Sequence, residues 1–225
     1  MKRGFFITGT DTGIGKTFIT ALIATAMRKE GIDVGVMKPM ETGCLEKDGK
    51  LIPADATLLK EAVGTEDDID LINPYRFHLP AAPSIAARAK GEVIERSLIM
   101  DPFELLAKRH ETLLVEGVGG LMVPINETAT VTDLIKWLAL PVIIVAGTQL
   151  GTINHTLLTV STARQHGIGI AGIVFNNYSE DEESAVEEIV RFTTLPIIGR
   201  IPTWDNKTSM EELIAALDMN LLLRG

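Results

Sequence analysis

The stretch TGTDTGIGKT, residues 8–17, has the composition of a loop that binds phosphate. The residues before it, GFFIT (4–8), predict a buried strand, and residues 18–29 predict a helix that stops at Gly31. A strand, a glycine-rich turn and a Gly-Lys-Thr that opens a helix together form a P-loop. Backbone N–H groups and a helix N-terminus attract phosphate oxygens. The stretch therefore predicts a site for the phosphates of a nucleotide.

Individual residues of this loop have separate expected roles. Gly13 and Gly15 allow the backbone to come close to the phosphates. Lys16 is expected to neutralise charge on the β and γ phosphates, and Thr17 to offer its hydroxyl to Mg²⁺. The loop thus predicts a nucleoside triphosphate and magnesium as its ligands.

The spacing of the loop departs from the usual G-x4-G-K-[ST]. Thr10 stands where the first glycine is expected and Gly9 lies one position earlier, so the loop reads G-x5-G-K-T. Partition and septum-site ATPases carry a second lysine five residues before the first, and this chain has Asp11 at that position. The loop therefore argues against a nucleotide switch of that type.

Composition predicts one soluble cytoplasmic domain, residues 1–225. Hydrophobic residues make up 46% of the chain and the net charge is -9, which disfavours nucleic acid as a partner. The longest apolar run, 138–147, is interrupted by Pro141 and is too short to span a membrane. Cys44 is the only cysteine in the sequence, which favours a reducing compartment.

The alternation of short apolar runs with amphipathic stretches predicts an α/β fold. Strands are expected over 4–8, 33–38, 112–117, 141–147, 168–177 and 195–202, and helices over 18–29, 55–64, 101–110, 132–140, 152–167, 181–192 and 210–218. The helix at 101–110 is expected to begin with Asp101 as its N-cap and Pro102 as its first residue. Continuously apolar strands predict a doubly wound, mostly parallel sheet of the P-loop NTPase type.

Ligands of such a fold bind at the carboxyl edge of the strands. The candidate residues are therefore 10–17, 38–43, 116–120, 147–154, 176–177 and 201–203. The proline-punctuated segment 66–92 is expected to be an excursion over this edge.

Two carboxylates at this edge are candidate ligands of Mg²⁺, which prefers oxygen donors. Glu116 comes directly after the apolar residues TLLV, near the end of a predicted strand, and precedes a glycine-rich turn, which favours a metal or catalytic role. Asp55 can be read equally well as a helix cap. Lys38, at the end of the second predicted strand, is placed near the loop by the topology.

Six segments together resemble the dethiobiotin synthetase family: GTDTGIGKT, KPMETG, ADA, EGVGG, GTINH and FNN. The resemblance runs from residue 4 to about residue 203. It includes the stretched loop spacing and the threonine in place of glycine. Glu41 is a departure, because smaller residues are familiar at that position of the family.

The resemblance implies an ATP-dependent ligase of biotin biosynthesis. Members of the family join CO₂ to 7,8-diaminononanoate and release dethiobiotin, ADP and phosphate. The implied route passes through a carbamate and a mixed carbamic-phosphoric anhydride, and it depends mainly on positioning and charge stabilisation.

The resemblance also implies roles for particular residues. The implied catalytic residues are Lys38, Lys16 and Thr12, and the implied metal ligands are Thr17, Asp55 and Glu116. The implied nucleotide contacts are Gly13, Ile14, Gly15, Lys16, Thr17, Phe18, Asp55, Glu116, Gly117, Val118, Gly119, Asn176, Asn177, Ile201 and Pro202, with Asn176 reading adenine. The implied substrate contacts are Thr12, Lys38, Thr42, Gly119 and Asn154.

A homodimer is implied as well, with the substrate site near the subunit interface. The segment LGTINHT (150–156) matches the region that receives the substrate carboxylate, and a helix N-terminus with Thr152 and Asn154 suits an anion. The alternative function is a nucleotide-switch or scaffold ATPase of the related P-loop branch. Asp11 in place of the second lysine speaks against that alternative.

Overall fold

The computed structural model describes residues 4–205 and 208–223. Its strands are β1 (Gly4–Gly9), β2 (Val34–Met37), β3 (Met40–Thr42), β4 (Leu45–Lys47), β5 (Lys50–Ile52), β6 (Tyr75–Phe77), β7 (Thr112–Glu116), β8 (Val142–Ala146), β9 (Ile170–Tyr178) and β10 (Ile197–Pro202). Its helices are α1 (Lys16–Lys29), α2 (Ala54–Val63), α3 (Ile69–Ile72), α4 (Pro83–Lys90), α5 (Ser97–Arg109), α6 (Val131–Leu138), α7 (Thr152–Gln165), α8 (Glu183–Thr193), α9 (Met210–Ala215) and α10 (Met219–Leu223).

Six strands form the central sheet in the order β10-β9-β8-β1-β7-β2, and all neighbouring pairs are parallel. The predicted doubly wound parallel fold is therefore confirmed. β1 lies between β7 and β8. On one side of β1 lie β7 and β2, and on the other side lie β8, β9 and β10, so the chain builds the sheet outward from β1 in two opposite directions. This switch point is where an open α/β sheet forms a crevice for ligands. The phosphate loop leaves the sheet at this point, because it follows β1.

The sheet is covered on both faces, which explains why its strands are continuously apolar. Phe6 of β1 packs in a cluster with Phe103 of α5 and residues of α6, α7 and α8. Phe5 and Ile7 pack in a second cluster with Leu22 of α1 and residues of α2, α9 and α10. Side chains that alternate along one strand thus enter two separate cores. Within the described ranges, no helix has the length and apolar character needed to cross a membrane.

Between β2 and α2 the chain forms short strands that the sequence analysis did not predict. β3 pairs with β6, and β4 pairs with β5 as an antiparallel hairpin. Asp48 and Gly49 form the two-residue turn of the hairpin, with φ angles of 52° and 73°. Turns in which both central residues have positive φ match the twist of the flanking strands, and Asp-Gly is a favoured pair there.

The predicted start of the helix over 101–110 was wrong. The helix α5 begins at Ser97, and Pro102 lies inside it. Ile99 and Phe103 lie on one face of the helix and are fully buried in the core. Burial of this earlier turn favours helix before the proline, even though Pro102 removes one backbone hydrogen bond. The last predicted helix, 210–218, ends earlier, at Ala215, and a separate helix, α10, begins after the predicted range.

His110 joins two carboxylates at the end of the sheet away from the phosphate loop. Its Nδ1 lies 2.9 Å from Asp33 Oδ1, and its Nε2 lies 2.6 Å from Asp67 Oδ2. Asp67 also accepts a hydrogen bond from Arg109 at 2.5 Å. Burial acts to lower the pKa of His110, but the hydrogen bonds and charges of Asp33 and Asp67 outweigh it and raise that pKa.

We expect this cluster to make the stability of the chain depend on pH. Because the pKa of His110 is higher in the folded state than its ordinary value of 6.5, the protonated ring favours folding. The stabilisation is fully present below that ordinary value and is lost as pH rises through the folded pKa. The melting temperature is therefore expected to fall as pH rises from mildly acid to mildly alkaline values.

The matched variant is His110→Gln, whose melting temperature should change less over the same pH range. Thermal unfolding followed by circular dichroism at several pH values measures both proteins. Equal pH dependence in the variant and the unaltered chain would contradict this role for His110.

Candidate active site

The phosphate loop connects β1 to α1 and starts within the sheet. The N–H of Thr10 still donates to Val145 O of the neighbouring strand at 3.0 Å. A Cβ atom on Gly9 would lie 2.7 Å from the side chain of Ile14. Real Cβ atoms do not approach other heavy atoms so closely, so only glycine fits at this position. The loop therefore keeps its first glycine on the strand, which accounts for the longer spacing to Gly15.

Asn176, near the end of β9, is hydrogen-bonded to the phosphate loop. Its Nδ2 donates to Ile14 O at 2.9 Å, and a Cβ atom on Gly15 would lie 2.2 Å from that nitrogen. Gly15 has a φ of 94°, in the left-handed region that favours glycine. Asn176 is the register partner of Ile201 on β10, so two of the predicted nucleotide contacts are adjacent. The role of Asn176 toward adenine stays a prediction.

Lys16 lies over the loop, as expected for a lysine that meets phosphates. Its Nζ donates to Asp11 O at 3.0 Å, and the residue is buried. Burial lowers the pKa of Lys16, and the charge of Glu116 opposes this effect. The negative charge of a bound phosphate would favour the protonated amine further.

Four residues from four segments form a charged cluster beside the loop. Lys38 Nζ lies 2.6 Å from Glu116 Oε1 and 2.7 Å from Asp55 Oδ2. Thr17 Oγ1 donates to the same Glu116 oxygen at 2.8 Å. Lys38 and Glu116 are buried, with side chains 5% and 1% exposed, whereas Asp55 is 43% exposed. The structure thus brings together the predicted lysine and the predicted metal ligands.

The charge of Lys38 is fixed by this cluster. Burial acts to lower the pKa of Lys38, but the carboxylates of Glu116 and Asp55 outweigh it and raise the pKa above its ordinary value. Lys38 therefore remains an ammonium at neutral pH. A buried cation that already has carboxylate partners can stabilise a further anion only at a site that excludes water.

The donor set fits a magnesium ion. Glu116 Oε2 is buried and has no hydrogen-bond partner among the described residues. A buried polar atom without a partner destabilises the folded state unless a ligand or ion binds it. Thr17, Asp55 and Glu116 provide one hydroxyl and two carboxylates, the hard oxygen ligands that Mg²⁺ prefers, while water supplies its other positions. No group of three or more His, Cys, Asp or Glu with metal-binding geometry occurs in the described part of the chain.

The segment 66–92 supports Lys38 from outside the central sheet. Asn73 is fully buried, and its Nδ2 donates to Lys38 O at 2.6 Å. The N–H of Lys38 donates to Ile72 O at 2.8 Å. Both backbone groups of Lys38, its N–H and its carbonyl, are therefore hydrogen-bonded to the end of α3 and the residue that follows it. Sequence reasoning placed the segment over this edge but did not identify Asn73.

The predicted substrate contacts lie around the loop but do not all converge. Thr12 is exposed and lies against the 117–120 turn, since an added Cβ on Gly119 would be 3.6 Å from Thr12 Oγ1. Thr42 is half-buried at the end of β3. Asn154 is exposed in the first turn of α7.

A cavity of about 520 Å³ lies between the phosphate loop and α7. Its lining consists of Thr10, Asp11, Gly120, Leu121, Met122, Val123, Pro124, His155, Leu158, Thr159 and Thr162. The lining includes His155, to which the sequence analysis gave no role, and does not include its neighbour Asn154.

Phe18, a predicted nucleotide contact, forms an aromatic pair with Trp204, which lies two residues after the predicted contact Pro202. The rings of Phe18 and Trp204 are stacked with centroids 5.3 Å apart, and Trp204 is exposed. Asn177, near the end of β9, has a φ of 56°, and its carbonyl accepts from Thr148 Oγ1. Trp204 was missed by sequence reasoning. Its signal is an aromatic residue two positions after Pro202, at a predicted strand end.

Solved structures similar to this chain share its fold. A ParA family ATPase from Chlorobium tepidum matches with a TM-score of 0.56 and 18% identity, covering 100% of this chain and 92% of that chain. A chain of the MinC:MinD cell division protein complex of Aquifex aeolicus matches with a TM-score of 0.57 and 18% identity, covering 93% and 85%. At this identity the likeness shows the fold alone.

Sequence comparisons are more specific. A family model described as an AAA domain matches residues 3–211. The chain is 42% identical over 215 residues to the ATP-dependent dethiobiotin synthetase BioD of Thermodesulfovibrio yellowstonii, covering 90% of this chain and 89% of that protein. It is 39% identical over 223 residues to the protein of the same name from Methanocaldococcus jannaschii, covering 97% and 99%. With the loop and the charged cluster in place, this chain belongs to the ATP-dependent dethiobiotin synthetase family.

Proposed function

We propose that this chain forms dethiobiotin, ADP and phosphate from 7,8-diaminononanoate, CO₂ and ATP. The observation that carries the proposal is the buried Lys38, held between Glu116 and Asp55 beside the phosphate loop. An ammonium, a loop for phosphates and oxygen ligands for a cation suit the joining of an anion to a phosphoryl group. The names of the relatives, which align over most of the chain, support the same reaction.

The proposed chemistry has three steps. One amine of the substrate attacks CO₂, loses a proton and becomes a carbamate. A carbamate oxygen attacks the γ phosphorus, and the bond from that phosphorus to the bridging oxygen of ADP breaks. The second amine then attacks the carbamoyl carbon, closes the ring and expels phosphate together with the former carbamate oxygen. Every step requires reacting groups held close and negative charge stabilised.

Lys16 and Lys38 provide the positive charge for these steps. Lys16 at the start of α1 meets the β and γ phosphates, and the helix N-terminus adds its N–H groups. Lys38 faces the carbamate and the phosphoryl oxygens that gain charge as the γ phosphorus is transferred. Thr12, Thr42 and Gly119 are proposed contacts of the diamine, and Thr12 lies against Gly119 in the folded chain.

We propose that Thr17, Asp55 and Glu116 bind Mg²⁺. When bound, the ion neutralises phosphate charge and polarises the γ-phosphoryl group. Glu116 links this set to the rest of the cluster, since its Oε1 accepts from both Thr17 and Lys38.

We propose that the nucleotide base lies beside Asn176 and Pro202, with Phe18 and Trp204 on one side of it. Asn176 already holds the phosphate loop through Ile14, so the same side chain connects the base region to the phosphates. The stacked aromatic pair offers an apolar surface next to these contacts.

We propose a homodimer in which Asn154 and the N-terminus of α7 receive the substrate carboxylate near the interface. Leu150, Leu158 and Met122 are exposed apolar side chains on and before α7 and beside the cavity, which supports an interface there. We also propose that residues 1–225 act as one domain, and that the cytoplasm is its compartment because Cys44 is a free, buried thiol.

The reaction itself is tested with purified protein, 7,8-diaminononanoate, bicarbonate, ATP and Mg²⁺. We expect ADP release to require the diamine and bicarbonate, and mass spectrometry to detect dethiobiotin in amounts equal to the ADP. The alternative, a scaffold or switch ATPase, predicts turnover that responds to DNA, lipid or a protein partner and ignores the diamine. ADP release without any dependence on the diamine would reject the proposal.

A further inference from the structure

The helix α2, which carries Asp55, begins without a capping side chain of its own. Its N-cap residue is Pro53, whose ring cannot accept a hydrogen bond. The first turn of any helix leaves backbone N–H groups without partners inside the helix. These groups need an acceptor from elsewhere, and a first turn that lacks one is less stable.

Glu41 supplies that acceptor from β3. Its Oε1 accepts from the N–H of Asp55 and its Oε2 accepts from the N–H of Ala56, each at 3.1 Å. Glu41 is 5% exposed, so its carboxylate is removed from water and is directed at the helix. A negative charge at a helix N-terminus is also favoured by the helix dipole.

The two bonds fix the residue that faces Lys38. Asp55 is held through its backbone N–H by Glu41, while its side chain lies 2.7 Å from Lys38 Nζ. Lys38 and Glu41 are three residues apart in one segment. This segment therefore contacts Asp55 twice, through Glu41 at its backbone N–H and through Lys38 at its carboxylate. Asp55 is itself partly exposed and would otherwise lose its orientation when the first turn of α2 opens.

We propose that Glu41 is a positioning residue, which caps α2 from another element and thereby orients Asp55 toward the magnesium ion. The inference rests on the proposed function, because that function assigns Asp55 to the metal. Glu41 touches neither the cluster lysine nor the reacting atoms in this account. Its hydrogen bonds connect it to the site through the backbone of Asp55.

The test measures Mg²⁺ binding without turnover. Calorimetric titration of Mg²⁺ into the protein saturated with ADP gives a dissociation constant for the unaltered chain and for Glu41→Ala, Glu41→Gln, Asp55→Ala and the double variant Glu41→Ala/Asp55→Ala. The matched control is Asp218→Ala, which removes the cap of α10, where Asp218 Oδ1 accepts from the N–H of Asn220.

We expect Glu41→Ala to weaken Mg²⁺ binding about tenfold, as is typical when a group that orients a metal ligand is lost. Glu41→Gln, which keeps one carbonyl acceptor, should show a smaller loss, and Asp218→Ala should show none. The double variant should bind Mg²⁺ no more weakly than Asp55→Ala alone. If Glu41→Ala does not fold, as judged by circular dichroism, the comparison uses Glu41→Gln alone and in the Asp55→Ala background.

Unchanged Mg²⁺ affinity in the folded Glu41 variants would overturn the inference. An additional loss in the double variant, beyond that of Asp55→Ala, would overturn it too, because Glu41 would then act without Asp55. So would an unaltered chain that binds no Mg²⁺ together with ADP. None of these results depends on dethiobiotin formation, so the inference can fail while the proposed function stands.

Discussion

Replacing Lys38 with glutamine is expected to lower diamine-dependent ADP formation at least a hundredfold while ATP still binds. The ammonium of Lys38 is the buried charge nearest the two carboxylates, at 2.6 Å from Glu116 and 2.7 Å from Asp55. Removal of one preorganised group that stabilises developing charge typically costs about 10²–10³ in turnover. Glutamine keeps a polar side chain in the cluster but cannot supply the charge.

ATP binding should persist because Lys16 and the loop N–H groups are unchanged. Isothermal titration of ATP and steady-state kinetics at saturating substrates separate the two effects. Lys29→Gln is the matched control, since Lys29 forms an exposed ion pair with Glu211 at the far end of α1 from the phosphate loop and should retain activity. A Lys38→Gln protein with unaltered turnover would remove Lys38 from the mechanism.

Replacing Glu116 with glutamine is expected to reduce turnover at least a hundredfold and to raise the Mg²⁺ concentration needed for half-maximal rate. Glu116 Oε1 accepts from Thr17 and Lys38, and Oε2 is the buried atom without a partner among the described residues. Glutamine leaves Lys38 with only one carboxylate and replaces a potential metal ligand by an amide N–H₂ group. Removal of the buried Glu116 charge also lowers the stability of the fold, although Asp55 still pairs with Lys38.

The measurement is the Mg²⁺ dependence of the rate, together with the melting temperature of each protein. Glu104→Gln, an exposed carboxylate on α5, is the control and should match the unaltered chain in both. A Glu116→Gln protein that is less stable but keeps its Mg²⁺ dependence would show that Glu116 is a counter-ion of Lys38 and not a ligand of the metal.

Residues of the site at the ends of fully buried strands could be predicted from the sequence. Lys38 and Glu116 come at the ends of β2 and β7, which are adjacent in the sheet, so topology alone brings them to one edge. Asp55 lies on α2, outside this sheet, and only the resemblance to a family favoured a metal role over a helix cap.

The residues that were missed act through non-local backbone contacts. Glu41 accepts from N–H groups 14 and 15 residues along the chain, and Asn73 donates to a carbonyl 35 residues away. No periodicity or motif encodes such bonds, because the partner is a backbone group that every residue has. The short hairpin β4–β5 is different, since Asp48-Gly49 between alternating residues is a local signal that could have been read.

The claim at the centre of this account is that a carbamate oxygen attacks the γ phosphorus beside Lys38. Bicarbonate labelled with oxygen-18 tests it most directly, with mass spectrometry of the phosphate released during one turnover and of the dissolved CO₂ as a reference. The account predicts one labelled oxygen in the phosphate for each dethiobiotin formed. Unlabelled phosphate alongside newly formed dethiobiotin would contradict it.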